Sequence, residues 1–248
     1  MKPSRNAIEF NIEPAGPQVL ILSLDTTTRA GSIAILRGTT VLSETAGDGA
    51  RTHAQRLPAD LMNACAAAGV TIDEVELFAV AAGPGSFTGL RVGIATVQGL
   101  AMARQRRVVP VSTLEAIAAA APAEARFVAA WMDAQRGEVF AQVFERENGS
   151  RRPRTEAINA PPRVALQRHR AALDDAEFHG DGAVRYRDDI VTVCGSSVTV
   201  ATTVPPLAGA LGRLAARRAG EAVLPHAIVP IYVRRPDAEI ARDRQSGP

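Results

Sequence analysis

The chain has 248 residues, of which 46% are hydrophobic and 4% aromatic. This length and composition support one large domain or two small ones with a real core. A net charge of +2 is too near balance to identify a nucleic-acid-binding protein by itself. The longest N-terminal apolar run, residues 19–24, is too short for a signal peptide core or a membrane span, so we expect a cytoplasmic protein without membrane association.

The first predicted elements in chain order are strands. Residues 1–17 mix charge, proline and glycine without periodicity, which is typical of a flexible leader. Residues 19–24 predict a buried strand that ends at Asp25, and a turn of three threonines follows. Two further strands, 32–36 and 40–43, complete a predicted three-strand meander.

A helix with a clear start follows the meander. Thr52 and Gln55, three residues apart, match a capping box. Leu57 and Leu61 lie four residues apart and so share one face of this helix. Pro58 lies too deep for the first turn, which predicts a kink or a late start.

The stretch 77–105 predicts a strand, a glycine turn and a helix. Residues 77–82 form a continuous apolar run, and a Gly-Pro-Gly turn follows it. From Ser86 onward, apolar residues recur every three or four positions, which is helical spacing. The rest of the chain appears organised around this element.

Three glycines interrupt that helix. Gly89, Gly93 and Gly99 each cost about 1 kcal/mol relative to alanine, so something must compensate. With Thr96 and Ala103 they form a line of small residues, which would let another backbone approach closely.

Two interpretations of the glycine turn stay open. A helix start binds anions, so a phosphate could lie over the turn, facing Gly83, Gly85, Ser86 and Thr88. Alternatively, the turn is only a tight connection between strand and helix. The glycine spacing misses the dinucleotide fingerprint and no lysine completes a P-loop, so spacing favours the tight connection.

The second half begins with an echo of the first. After a strand at 107–111 and a helix at 112–121, a strand at 128–132 ends at Asp133 and returns as the alternating strand 139–144. The first half has the same order of strand, aspartate, turn and strand. The echo suggests a duplicated fold.

The remaining elements are less regular. We predict a helix at 163–173, a strand around Phe178, a Val-rich strand at 190–194 and a helix at 207–219, after which 228–233 closes the globular part. The predicted organisation is a flexible leader (1–17), an N-terminal subdomain (18–111), a C-terminal subdomain (112–235) and a disordered tail (236–248). Short basic clusters are expected to be solvated faces or linkers: Arg151, Arg152 and Arg154; Arg217 and Arg218; Arg234 and Arg235.

Segments from most of the chain closely resemble one protein family. In order they are ILSLDTTTRAGSIAIL, AAGPGSFTGLRVGIATVQGLA, VSTLEAIA, MDAQRGEVF and VPIYVRR. They resemble the TsaB family, also called YeaZ, which are bacterial accessory proteins for threonylcarbamoyladenosine, a modified adenosine beside the tRNA anticodon. The resemblance covers residues 19–235, and the glycine-helix segment followed by MDAQRGEVF is its most specific part.

The resemblance implies a fold and a set of partners. The fold is a duplicated α/β fold of the actin-like, Hsp70-like ATPase (ribonuclease H-like) class, with mixed sheets flanked by helices. The implied role is a noncatalytic subunit that forms a heterodimer with the catalytic TsaD, is joined by the ATPase TsaE and meets tRNA through the complex; alone, it could form a homodimer. The interface maps onto 52–68 and 86–105, with these candidate residues: Arg51, His53, Leu57, Leu61, Gly89, Gly93 and Thr96.

Catalytic interpretations are weaker. ATPases of this fold position magnesium and phosphate where Asp25 and Asp133 stand, but the expected glycine after Asp25 is missing, so an Asx turn is favoured. Ser86 has no adjacent base and suits a helix cap better than a nucleophile. Arg51 and Arg56 are expected to be solvated or in contact with a partner.

No metal and no cofactor are expected, with ATP only at a complex interface. Metal ligands converge in space and often lie as paired histidines on one helix. The four histidines are scattered, and Cys65 and Cys194, in a predicted helix and a predicted strand, have no metal-ligand spacing. The alternative function is an independent ATP-dependent enzyme of this fold or a glycoprotease-type peptidase.

Overall fold

The computed structural model describes residues 18–234. The predicted leader at 1–17 and the predicted tail at 236–248 lie outside the described residues. Within the described range, every helix is too short or too polar to cross a lipid bilayer.

Ten strands and seven α-helices occur among the described residues. The strands are β1 (Leu20–Asp25), β2 (Ser32–Arg37), β3 (Thr40–Ala46), β4 (Leu77–Gly83), β5 (Arg107–Ser112), β6 (Phe127–Asp133), β7 (Val139–Glu147), β8 (Ser150–Pro153), β9 (Ile158–Ala160) and β10 (Ala176–His179). The helices are α1 (His53–Ala67), α2 (Phe87–Ala103), α3 (Thr113–Ala120), α4 (Pro162–His169), α5 (Asp181–Arg185), α6 (Arg187–Cys194) and α7 (Ala208–Arg217).

The chain divides into two units. Among the described residues, the first contains 18–82, Phe87–Val111 and Pro206–Val229, and the second contains Gly83–Ser86, Ser112–Pro205 and 230–234. One unit boundary falls between residues 111 and 112. The segment containing α7 belongs to the first unit, because α7 packs on β1 and β2.

The sheet of the first unit has the order β3-β2-β1-β4-β5. β2 is antiparallel to both β1 and β3, so the predicted meander is confirmed. β1 pairs in parallel with β4 on its other side. Because strand side chains alternate between the two faces, both faces of these buried strands need cover. Buried residues of α1 and α2 share a core with Leu22 and Phe78 of the sheet, while Gly212 of α7 abuts Leu36.

The capping box at the start of α1 is confirmed. The Gln55 side chain accepts a hydrogen bond from the Thr52 N–H at 3.1 Å, so one free donor of the helix start is satisfied. The helix begins at His53 and continues through Pro58, so it has no late start.

The second unit repeats the first. Its sheet has the order β10-β6-β7-β8, with β9 also paired to β7. β6 ends in Asp133, is antiparallel to β7 and parallel to β10, as β1 ends in Asp25, is antiparallel to β2 and parallel to β4. The duplication predicted from the two strand-aspartate patterns is confirmed.

One prediction for the second half is wrong. Residues 190–194, predicted as a strand, form the end of α6. Only Ile190 of this helix is buried, and Asp188 and Asp189 lie in its first turn, where the helix dipole favours acidic side chains. Cys194 therefore ends a helix rather than lying in a strand.

The segment that follows β7, which contains Arg151 and Arg152, forms a further strand that is absent from the sequence-based prediction. β7 and β8 form a hairpin through Asn148 and Gly149, whose φ angles are 49° and 76°. An Asn-Gly pair with two positive φ angles is typical of a type I′ turn, which matches the twist of the flanking strands. The Asn-Gly pair was the sequence signal for this hairpin.

Gly93 of α2 packs against Thr26, the residue that follows β1. A Cβ atom at Gly93 would lie 2.1 Å from Thr26 Oγ1. That hydroxyl donates a hydrogen bond to the Gly89 carbonyl at 2.8 Å, so the two side-chain-free positions receive a threonine of the same chain. The expectation that Gly93 is small to admit a partner helix is wrong. Gly99 differs, because a Cβ there would meet nothing within 4 Å.

Alanine substitutions at these two glycines should have opposite effects on stability. We expect Gly93→Ala to lower the free energy of unfolding by about 1–3 kcal/mol, because its methyl group overlaps Thr26. The matched control Gly99→Ala should raise it by about 0.5–1 kcal/mol through helix propensity alone. Urea denaturation followed by circular dichroism measures both, and equal effects would refute the packing account.

Candidate functional site: the outer face of two helices and two aspartate turns

The outer face of α1 and α2 is exposed in the first unit. The inner faces are buried by the sheet of the same unit, with Leu57, Leu61, Ile94 and Val97 each at most 6% exposed. The outer face consists of Ala54, Gln55, Pro58, Ala59, Met62, Asn63, Ala66 and Ala67 of α1 and Phe87, Thr88, Arg91, Ala95, Gly99, Met102 and Ala103 of α2.

This outer face carries little charge. Arg91 is its only charged member, and its guanidinium lies 4.0 Å from the centroid of the Phe87 ring. Met62 and Met102 are 60% and 46% exposed, although both have large apolar side chains. Most other members are alanine, glycine or other short side chains. An apolar surface of this kind is typical of a protein–protein interface.

The predicted interface residues fall into two groups. Leu57, Leu61, Gly89 and Gly93 are buried within their own unit, because the apolar helix face serves the sheet. They lie beneath the surface and support it rather than form it. Three predicted residues reach solvent to different degrees: Arg51 is exposed, and His53 and Thr96 are half-buried.

Arg56 is a residue whose role the sequence analysis missed. It is only 2% exposed, not solvated as expected. Its guanidinium pairs with Asp60 at 2.5 Å, bonds the Ala30 carbonyl and lies 2.9 Å from Nδ1 of His53. The i, i+3 and i+4 spacing of His53, Arg56 and Asp60 on one helix was the available signal.

His53 faces inward and is held neutral. Burial, and then the adjacent Arg56 charge, lowers the pKa of His53. Its Nε2 lies 3.0 Å from the Thr28 carbonyl and can donate to it only when that nitrogen carries the proton. Nδ1 is then free to accept from Arg56. The pair thus fastens the turn after β1 to α1, which is a positioning role.

Both strand-ending aspartates form Asx turns. Asp25 is 2% exposed, and its Oδ1 accepts hydrogen bonds from Thr27 N at 2.8 Å and Thr27 Oγ1 at 2.6 Å. Burial raises the pKa of the Asp25 carboxyl, and the Thr27 bonds partly offset this effect. In the second unit, Asp133 Oδ1 accepts from Gln135 N at 3.1 Å, and Oδ2 pairs with Arg185 at 2.8 Å. The predicted Asx bond at Asp25 is therefore confirmed and recurs at Asp133.

The start of α7 already holds a carboxylate. Leu207 N and Ala208 N donate to Ser32 Oγ at 3.1 and 3.0 Å, and Gly209 N donates to Glu44 Oε1 at 2.7 Å. A helix start offers free N–H groups and a positive dipole end to an anion. Here residues of the chain's own strands occupy that position.

The glycine turn before α2 remains a separate feature. Gly83 has a φ of 120°, Gly85 is half-buried, and Ser86 and Thr88 are exposed. These are the residues expected to face a phosphate, and that expectation stays a prediction. Within residues 18–234, no three His, Cys, Asp or Glu side chains are grouped so as to hold a metal ion.

The chain is similar in sequence to known proteins. A family model for TsaD, tRNA N6-adenosine threonylcarbamoyltransferase, matches residues 41–175, more than half of the chain. The tRNA threonylcarbamoyladenosine biosynthesis protein TsaB of Haemophilus influenzae is 40% identical over 131 residues, which are 51% of this chain and 54% of that protein. The TsaB of Bacillus subtilis is 29% identical over 228 residues, which are 88% of this chain and 96% of that protein. The chain thus spans little more than half of the first relative and nearly all of the second.

Solved structures of similar proteins align with most of the chain. YeaZ from Pseudomonas aeruginosa aligns with a TM-score of 0.71 and 34% identity, covering 86% of this chain and 99% of that one. A second structure, titled as an uncharacterized protein with similarity to peptidase YEAZ from the same species, gives a TM-score of 0.75 and 33% identity. The predicted actin-like α/β fold with two related sheets is confirmed. The chain belongs to the TsaB (YeaZ) family.

Proposed function

We propose that this chain is a noncatalytic subunit of the enzyme complex that makes threonylcarbamoyladenosine in tRNA. It docks onto a TsaD-like catalytic subunit through the outer face of α1 and α2. The observation that carries the proposal is the charge-poor outer face on a member of the TsaB family. A TsaE-like ATPase and the tRNA join through the assembled complex, and the complex works in the cytoplasm.

The composition of the outer face suits a packed helix interface. Helices pack 8–10 Å apart, and short side chains at the contact allow the nearer distances. Ala95 and Gly99 are both exposed on α2 and lie four residues apart, so a partner helix could lie close there. Met62, with its unbranched thioether side chain, adapts to irregular partner surfaces. Burying these side chains would remove apolar area from water.

The aspartate turns support the absence of independent catalysis. A catalytic carboxylate must reach its substrate or metal with free oxygen lone pairs. The Asp25 carboxyl is only 2% exposed and its Oδ1 is engaged by Thr27, while Gln135 and Arg185 engage Oδ1 and Oδ2 of Asp133. These bonds serve the two turns themselves. The reacting groups then belong to the catalytic partner.

Substitution on the outer face should abolish the complex without unfolding the chain. We expect Met62→Glu and Ala95→Glu to weaken binding to the TsaD-like subunit by at least tenfold, because each buries a charge in an apolar interface. Gel filtration and native mass spectrometry of the mixed subunits measure the complex. Val164→Glu, which replaces an exposed valine on α4 of the second unit, is the matched control.

The thermal midpoint of each variant shows whether the fold is kept. Leu61→Glu or Gly93→Glu would not serve, because both positions are buried and a charge there would destabilise the first unit itself. Light scattering of the isolated chain tests whether the same face forms a homodimer, which Met62→Glu should also dissociate. An intact heterodimer with both Met62→Glu and Ala95→Glu would refute this docking surface.

Reconstitution should show that the chain is required but inactive alone. We expect no ATP hydrolysis by the isolated chain, and loss of tRNA modification when it is omitted from a mixture of the TsaD-like and TsaE-like subunits, ATP, the threonylcarbamoyl adenylate and tRNA. Nucleoside analysis by mass spectrometry measures the product. ATP turnover by the isolated chain that disappears in Asp25→Asn would support an independent ATP-dependent enzyme instead.

A further inference from the structure

Five arginines lie together around the β7–β8 hairpin of the second unit. We call this group, with the two glutamates between them, the basic hairpin: Arg126, Glu145, Arg146, Glu147, Arg151, Arg152 and Arg154. Its formal charge is +3, which exceeds the +2 of the whole chain. Arg151, Arg152 and Arg154 are expected from the sequence to be a solvated face or a linker. Instead this segment belongs to a regular two-stranded ladder.

The two glutamates only partly neutralise the arginines. Glu145 is shared by Arg126 at 3.3 Å and Arg154 at 3.6 Å, and Glu147 pairs with Arg152 at 3.2 Å. The side chains of Arg126 and Arg152 are 73% and 72% exposed, so their guanidinium groups keep donors available to solvent.

Arg146 and Arg151 bring two positive charges to paired positions of the hairpin. They lie directly opposite each other in the ladder, a position in which like charges destabilise an antiparallel pair. Both donate to main-chain carbonyls, Arg146 to Ala123 and Arg151 to Pro122 at 2.8 Å, and these neutral acceptors leave both positive charges in place. Burial, and then Arg146, lowers the pKa of Arg151, and the charge of Glu177 partly offsets this. A bound anion would relieve this repulsion.

The arginines are also held in place. Arg126 and Arg154 lie 4.8 and 4.5 Å from the centroid of the same Phe127 ring. The tight Asn148–Gly149 turn fixes the register of the two strands. Side chains that are already ordered lose less entropy when they bind. A preorganised array of guanidinium forks suits phosphate groups, which arginine can bind through two parallel hydrogen bonds.

We propose that the basic hairpin binds the phosphate backbone of RNA. Within the proposed function, on which the identity of the RNA rests, the ligand is the tRNA that the complex modifies. The surface does not suit a membrane, because Phe127, Val143 and Phe144 are at most 8% exposed and offer no apolar side chain for insertion. Backbone contacts hold RNA in register without reading its sequence, which suits a subunit that serves several tRNAs.

The test uses the assembled complex and an unmodified tRNA transcript. Filter binding at 50–200 mM salt compares the natural chain with the double variant Arg126→Gln, Arg152→Gln. Each lost phosphate contact should reduce the slope of log K against log salt by about 1. We therefore expect a slope smaller by about 2 and an affinity at least ~10-fold weaker near 0.1 M salt. Arg168→Gln, on an exposed arginine of α4, is the matched control and should change neither.

Three further measurements keep the outcome clear. Gel filtration shows whether the variant still forms the complex, so a failure of docking is separated from a failure of RNA binding. Arg152→Glu, whose exposed side chain makes it the safer change for folding, should weaken RNA binding further than Arg152→Gln. Sedimentation with phosphatidylserine vesicles tests the membrane. An unchanged salt slope in an intact complex, or Arg152-dependent binding to vesicles without any effect on RNA, would overturn the proposal.

Discussion

The contact of Thr26 with the side-chain-free surface of α2 decides which face of this helix is left for other molecules. The Thr26 hydroxyl bonds the Gly89 carbonyl, and the missing side chain of Gly93 leaves room for it. Once that face is seated on β1, the opposite face, with Ala95 and Gly99, must look outward. The absence of a side chain at Gly93 therefore sets the rotation of α2 about its own axis, at a cost in helix propensity. The surface proposed for docking is a consequence of this internal packing.

The sequence predicted elements wherever a local pattern had one structural solution. The apolar runs ending in Asp25 and Asp133 could be matched to strands, and their similarity revealed the duplication. Thr52 and Gln55 marked the start of α1. The sequence does not predict which glycines of α2 face the sheet. Helical spacing allows more than one row of small residues along this helix, and only the contact with Thr26 shows which row is buried.

Two departures from the sequence-based expectations, one in each unit, have identifiable physical causes. The valines near Ile190 favour a strand by propensity, but the acidic residues Asp188 and Asp189 stabilise a helix start before them. Arg56 is expected to be solvated or in contact with a partner because arginine is seldom buried, yet His53 and Asp60 on the same helix interact with it inside the unit. In both cases the side chains that decide the structure lie within four residues along the chain.

The duplicated fold uses equivalent positions for structure in both units. Oδ1 of each strand-ending acid, Asp25 and Asp133, accepts a hydrogen bond from a backbone N–H of its own turn. The start of α7 is likewise filled by Glu44. With these internal positions committed to stability, the features left to act on other molecules are on the surface: a charge-poor helix face in one unit and a basic hairpin in the other. Opposite chemical character would let the two surfaces recognise different classes of partner, an apolar protein interface and a polyanion, without competing for the same residues.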